Sequence, residues 1–439
     1  MRAPLCTLLC LSLAVLLLAA PPASAPHLLK KVEYGDYGSK YHRIGDLDGD
    51  GMPDLLLVQA TAPGGEHKAI ITCLTAVDLN GKILWQVGKP DPKNLYFGGD
   101  FPVQIYDHDG DGANEVFYIE DDRNILTVLE GKTGAVRRQV QLAGGHDSFL
   151  FVDFAGAGYA RDLVVKDRYK SFWVYDSNFK LIWSKQNVNP GHFPMNYDLD
   201  GDGRDELLAG YTLYRHDGKE LWSHPEFPLH NDAVYIEDLD GDGKAEIAIA
   251  TSKDAVLLDS AGKILVRYKM DHCQHALIGK FRKDLPGKQV FFLSRMDKQP
   301  DARFRFAAML MMDKTGKILW AKENQDMWYT GAMRLDRWTS DPELQYVALY
   351  SRGFAGANLL DGEGKEIASL SFGPAIKERG TGANGKDLYD DYYTQHLDLY
   401  GDEREEILVF NHIALYIYTN AAPWQRPRLY NNTYYPGRL

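Results

Sequence analysis

DLDGDGKAEIAIA, residues 238–250, places carboxylates at Asp238, Asp240, Asp242 and Glu246 around two glycines and runs directly into an apolar strand. Acids at the first, third, fifth and ninth positions of a tight loop present hard oxygens at the intervals that suit calcium. The phrase recurs as DLDGDGMPDLLLV (46–58), DHDGDGANEVFYI (107–119) and DLDGDGRDELLAG (198–210). Three further ligand sets follow: Asp46, Asp48, Asp50 and Asp54; Asp107, Asp109, Asp111 and Glu115; Asp198, Asp200, Asp202 and Glu206. A worn copy, DLYGDEREEILVF (398–410), carries Tyr400 in place of the third-position acid. Calcium in these loops is expected to clamp the hairpins rather than to do chemistry.

A second signal alternates with the first: a turn between two strands, as in VDLNGKILW (77–85), LDSAGKILV (258–266) and MDKTGKILW (312–320). Degenerate acidic loops fill the gaps at VDFAGAGYARDLVV (152–165), GKFRKDLPGKQVFFL (279–293) and RLDRWTSDPELQYVAL (334–349). Counted together they make eight units of roughly 40–60 residues, the size of a four-stranded propeller blade. The fold expected is all-β, an eight-bladed β-propeller of antiparallel blades, with seven blades plus an irregular unit as the alternative. The eighth unit lacks its outer strand, and LLKKVEYGDYGSK (28–40) is placed to supply it. No linker interrupts the repeats, so residues 26–439 read as one domain.

Residues 1–25 combine a basic start, a short apolar run and an A-x-A ending, the pattern of a cleaved secretory signal. The expectation is a secreted or periplasmic protein with no membrane span. Cys6 and Cys10 fall in that segment, leaving Cys73 and Cys273, so the core rather than a disulfide framework must stabilise the chain. A net charge of −12 argues against a nucleic-acid partner.

In an antiparallel blade the acidic loop joins strands one and two, and the GK turn joins strands three and four. Both lie at one end. The joins between blades, and between strands two and three, lie at the other. Those joins carry GGHDSF (His146), NPGHFP (His192), LHNDAV (His230, Asn231), DHCQHA (His272, His275), MWYTGA (Tyr329) and DDYYTQH (Tyr392). Facing them are VKDRYKS (Lys166, Arg168, Tyr169), LSRMD (Arg295) and YSRGF (Arg352). Because first strands line a propeller's axis, these groups are expected to converge at the channel mouth. An H-x-x-H metal site at His272 and His275, with Cys273 between, is disfavoured because strand geometry sends the two rings to opposite faces.

Arg, His and Tyr without a carboxylate pair do not suit two-acid glycoside hydrolysis. They suit β-elimination at a uronic acid: a cation holds the substrate carboxylate, a neutral His or a Tyr takes the C5 proton, and the same or a neighbouring group protonates O4. The repeats, with GHFPMNYDLDGDGRDE, HNDAVYIEDLDGDG, HALIGKFRKDLPGKQV and the tail YNNTYYPGRL, resemble β-propeller polysaccharide lyases with FG-GAP-type repeats, of the rhamnogalacturonan, ulvan and rhamnose–glucuronate lyase groups. The resemblance implies cleavage of an anionic polysaccharide or oligosaccharide beside a uronate, with calcium structural or substrate-bridging. On this reading His192 or His146 is base and acid, Arg168 neutralises the carboxylate, and Tyr329 or Tyr392 is the alternative proton donor. Lys166, Tyr169, His230, Asn231, His272, His275, Arg295 and Arg352 bind substrate. The rival is a non-catalytic propeller that binds glycan or protein through the same mouth.

Overall fold

The computed structural model describes residues 26–62, 69–96, 101–120, 123–294, 307–324, 329, 331–339, 341, 343–350, 357–370 and 393–420. The leader-like segment 1–25 and three expected site residues, Arg295, Arg352 and Tyr392, lie outside the described residues. The described strands form eight four-stranded antiparallel sheets, seven of them built from neighbours in sequence, so the eight-bladed propeller is the fold and the seven-bladed alternative falls. The last blade is completed by Pro26–Glu33, which pairs antiparallel with Ala414–Asn420 and brings Lys31 opposite Tyr416. The N-terminal strand therefore closes the ring, as the missing outer strand required.

Blade five shows why these residues make these strands. Glu246–Thr251 and Asp254–Leu258 are buried almost throughout, because neighbouring blades cover both faces. The outer strand Ile264–Lys269 alternates between half-buried and exposed residues, the period-two pattern of a strand with one face in water. Adjacent blades share apolar clusters: Ala248 and Leu257 of blade five pack with Ile278, Val290 and Phe292 of blade six. At the rim, the indole of an outer-strand tryptophan donates to a carbonyl in the next blade's GK turn. Trp183 reaches the His216 carbonyl at 2.9 Å, Trp222 that of Ser260 at 3.1 Å and Trp320 that of Gly362 at 3.0 Å. Gly262 is needed there twice over: its φ is +83°, and a Cβ would stand 2.7 Å from the Trp222 ring.

The acidic loops are pre-wrapped by their own backbone. In the Asp238 loop, one carboxylate oxygen of Asp238 accepts from the Gly241 N–H at 2.7 Å and the other from Gly243 at 2.9 Å. Glu246 accepts from the Leu239 N–H at 2.9 Å. Two of the altered loops carry a fixed side-chain cation, whereas in blade three Asp153 is held by the N–H groups of Ala157 and Gly158. In blade six the Lys280 ammonium donates to the carbonyls of Leu285 and Gly287. In blade eight Arg404 donates to the Asn420 carbonyl at 2.8 Å.

Blade eight also buries an ion pair, His396 Nδ1 to Glu405 Oε1 at 3.0 Å, with Asp336 and Arg334 beside it. Burial opposes the charge on His396, but Glu405 and Asp336 raise its pKa above the ordinary value; His396 in turn holds Glu405 low against its own burial. The imidazolium thus contributes fully below about pH 6.5 and is lost as pH rises through the higher folded value. His396→Gln is expected to cost about 3 kcal/mol at pH 6 and clearly less at pH 9, read as the melting difference from the parent protein. An equal difference at both pH values would show that His396 is neutral in the fold.

Candidate active site

The groups that meet at the join end come from blades three to six. His192 lies on the join into blade four, and its backbone N–H donates to the Asn231 carbonyl at 3.2 Å. Asn231 is buried and its amide donates to the Gly210 carbonyl at 2.9 Å, so it fixes the His192 join to blade five. Gly191 permits this: at φ +75°, a Cβ would stand 1.6 Å from the Asn231 side-chain oxygen. Tyr169 sits in the hairpin between Asp162–Asp167 and Ser171–Tyr175 with φ +58°, a left-handed conformation that costs a non-glycine residue about 1–3 kcal/mol. That twist brings its hydroxyl to 2.8 Å from His192 Nε2 and stacks its ring on His230, centroids 4.4 Å apart. Leu229 and His272, beside the same cluster, are left-handed as well.

Beneath these rings lies a carboxylate that spacing alone did not single out. Asp232 Oδ1 stands 3.7 Å from His192 Nε2 and 3.7 Å from His230 Nε2, and it accepts from the Gln274 amide at 2.8 Å. Burial works against its charge, yet His230, His192 and His272 hold its pKa below the usual carboxylate value. A second buried acid, Asp147, pairs with the Lys166 ammonium and lies 3.8 Å from Arg168 Nε. His146 Nε2 is 4.0 Å from Asp167 Oδ1. The join end therefore holds buried acids beside the expected His, Lys and Arg: Asp232 lies among imidazoles, and Asp147 beside Lys166 and Arg168. The signal was present in the sequence, since an aspartate follows His146 directly and His230 two residues on.

Lys166 is 1% exposed and committed to Asp147, which makes it a pillar of the site rather than an open contact for ligand. Asp147→Ala would leave that ammonium buried and uncompensated, an expected loss of about 3–5 kcal/mol in chemical denaturation. Arg168 is also buried, lying over the Tyr169 ring at 5.8 Å. Tyr329 departs further from expectation. It packs with Leu277, Phe291 and Leu349 between blades six and seven, and its hydroxyl accepts from Asn358 at 2.8 Å, a core position rather than a proton donor's. The two histidines of H-x-x-H also separate. His272 precedes the strand Cys273–Gly279 and acts on Asp232, whereas His275 faces the Tyr350 ring. Cys273 is buried in the core shared by blades five and six, where burial pushes its thiol well above the ordinary value.

His192, His230, Tyr169 and Asp232 thus form one contiguous constellation, with Arg168, Lys166, Asp147 and His146 on its blade-three side. Separately, the four intact acidic loops each bring three carboxylates within reach of one ion. They lie at the opposite end of the blades.

No protein-family model matches the chain. It is similar to two lyases of Bacillus subtilis (strain 168): rhamnogalacturonan exolyase YesX, 26% identical over 50% of this chain and 45% of that protein, and rhamnogalacturonan endolyase YesW, 26% identical over 48% and 43%. The chain spans less than half the length of the curated relatives it matches. The crystal structure of YesW superposes with a TM-score of 0.62 at 19% identity, over 94% of this chain and 76% of that one. The V. cholerae biofilm matrix protein Bap1 shares the fold at TM-score 0.60 and 14% identity, over 91% of this chain and 88% of that one. The likeness to rhamnogalacturonan lyases bears out the resemblance read from the repeats.

Proposed function

We infer that the chain is a polysaccharide lyase that cleaves a rhamnose–uronate polymer of the rhamnogalacturonan type by β-elimination. The observation that carries this reading is the Tyr169–His192 hydrogen bond at 2.8 Å, stacked on His230 above a buried Asp232. The substrate lies at the mouth of the propeller axis with its carboxylate toward Arg168. His192 Nε2, in its neutral form, removes the C5 proton. The Tyr169 hydroxyl, hydrogen-bonded to the same nitrogen, protonates the departing O4, and the proton returns along that bond for the next turnover. Asp232 holds His192 and His230 in orientation and favours the imidazolium that forms. Similarity to two named rhamnogalacturonan lyases supports the substrate class.

Calcium occupies the four intact acidic loops in this reading and acts through stability, when bound joining each loop's carboxylates into one clamp. Export through the 1–25 segment places the enzyme outside the cytoplasm, where calcium and polysaccharide are both available. A binding-only propeller is the second reading, favoured by the near-complete overlap with a biofilm matrix protein. Ultraviolet absorbance of the C4=C5 bond, followed during incubation with rhamnogalacturonan and other rhamnose–uronate polymers, separates the two. A rise supports the lyase; retention of the polymer on the protein with no rise supports binding alone.

A further inference from the structure

We propose that His192, His230 and Asp232 form a three-ligand site for a divalent transition metal such as zinc, distinct from the calcium loops, and that metal there switches the lyase off. His192 Nε2, His230 Nε2 and an Asp232 carboxylate oxygen all lie within 4.8 Å of one another. The two N···O separations are 3.7 Å, against about 3.3 Å between ligand atoms around a tetrahedral zinc, so each imidazole stands within a few tenths of an ångström of a zinc-sharing distance from the carboxylate. Two imidazoles and one carboxylate suit zinc or cobalt rather than calcium, which prefers an all-oxygen shell.

The second observation concerns the carboxylate itself. The Asp232 side chain is 2% exposed, and its Oδ2 has no hydrogen-bond partner among the described residues. Its neighbour in kind, Asp147, is equally buried but neutralised by Lys166. Among the described residues no lysine or arginine forms an ion pair with Asp232; its polar partners are imidazoles and the Gln274 amide. A buried carboxylate without a fixed cation is stabilised by a mobile one, and the flanking nitrogens are placed to share it. Gln274, donating to Asp232 Oδ1 at 2.8 Å, supplies the outer hydrogen bond that orients a metal-binding carboxylate.

Metal binding would have a direct chemical consequence. The lone pair of His192 Nε2 that accepts the C5 proton is the one given to the metal, and the Tyr169 hydroxyl must release that nitrogen. The two states exclude each other, so zinc inhibits and a chelator selective over calcium restores turnover. The inhibitory effect rests on the lyase reading; the existence of the site does not.

The test uses untagged, full-length protein saturated with calcium, so that the acidic loops are filled. Cobalt(II) titration should develop a visible d–d band of tetrahedral strength, and zinc should displace it with one ion per chain. Asp232→Asn and His230→Gln should each weaken binding by at least about tenfold, the loss expected from an outer partner alone. His230→Cys should retain binding and add a sulfur-to-cobalt charge-transfer band, which keeps the test decisive if one variant misfolds. Asp238→Asn, in a calcium loop, should leave the band unchanged. No band in the parent protein, or unchanged affinity in His230→Gln, overturns the site. A band with no polymer cleaved keeps the site and removes the lyase; cleavage with no band does the reverse. A band that forms while zinc leaves cleavage untouched overturns the switch.

Discussion

His192→Ala should lower turnover on a rhamnose–uronate polymer by about a thousandfold while changing KM little, because in the proposed mechanism His192 moves a proton and carries no substrate charge. The geometry makes the effect specific to one nitrogen. Nε2 faces Tyr169 at 2.8 Å and Asp232 at 3.7 Å, and the His230 ring lies 4.9 Å from the His192 ring, centroid to centroid. Tyr169→Phe keeps the ring stacked on His230 and removes only the hydroxyl, so it should lose about a hundredfold in kcat. Arg168 should behave differently. If its guanidinium neutralises the uronate, Arg168→Lys loses both affinity and turnover, since a point charge replaces a planar fork. Full activity in His192→Ala would contradict the assignment, and the melting temperature of each variant distinguishes lost chemistry from lost fold.

Removal of calcium should lower the melting temperature by more than about 10 °C. Each site filled at a thousand times its dissociation constant adds about 4 kcal/mol, and the chain has four intact loops. The electrostatics of the empty loops give this prediction a pH signature. Burial pushes Asp54, Glu115 and Glu206 up to about 7, with neighbouring loop acids adding to the effect. Carboxylates whose folded pKa is raised bind more protons in the native state than when unfolded, so the chelated protein loses stability as pH rises from about 4.5 toward 7. Calcium binds the ionised form and reverses that trend. The drop on chelation should therefore be larger at pH 8 than at pH 6, as differential scanning fluorimetry will read. The Asp107 loop should be least sensitive, because Arg137 already pairs with Glu115 and lies 3.0 Å from Asp109. An unchanged melt with excess chelator would remove calcium from the account.

The eight blades were legible because the signal is local and recurs along the chain: acidic loops, intact or worn, apolar strands and GK turns each declare their place without reference to the rest of the chain. Ring closure was legible for a related reason, since a missing outer strand in the last unit demands one from elsewhere. The tryptophan pins were not, because Trp222 and Gly262 meet only once neighbouring blades are packed. The candidate site divides along the same line. His146, His192 and His230 announced themselves by recurrence at blade joins, whereas Asp147 and Asp232 look like ordinary loop acids until burial gives them weight. Tyr169 needed its positive φ to be seen as the partner of His192. Tyr329 misled because chain position places a residue at a join but does not set which way its ring turns.

Elimination and hydrolysis leave different products. Rhamnogalacturonan should be incubated with calcium-loaded protein in water enriched in heavy oxygen, and the fragments weighed by mass spectrometry. Elimination gives a new non-reducing end with a C4=C5 uronate and no oxygen from solvent. Saturated non-reducing ends with no C4=C5 uronate, or an intact polymer after exhaustive incubation with every rhamnose–uronate polysaccharide tested, would contradict it.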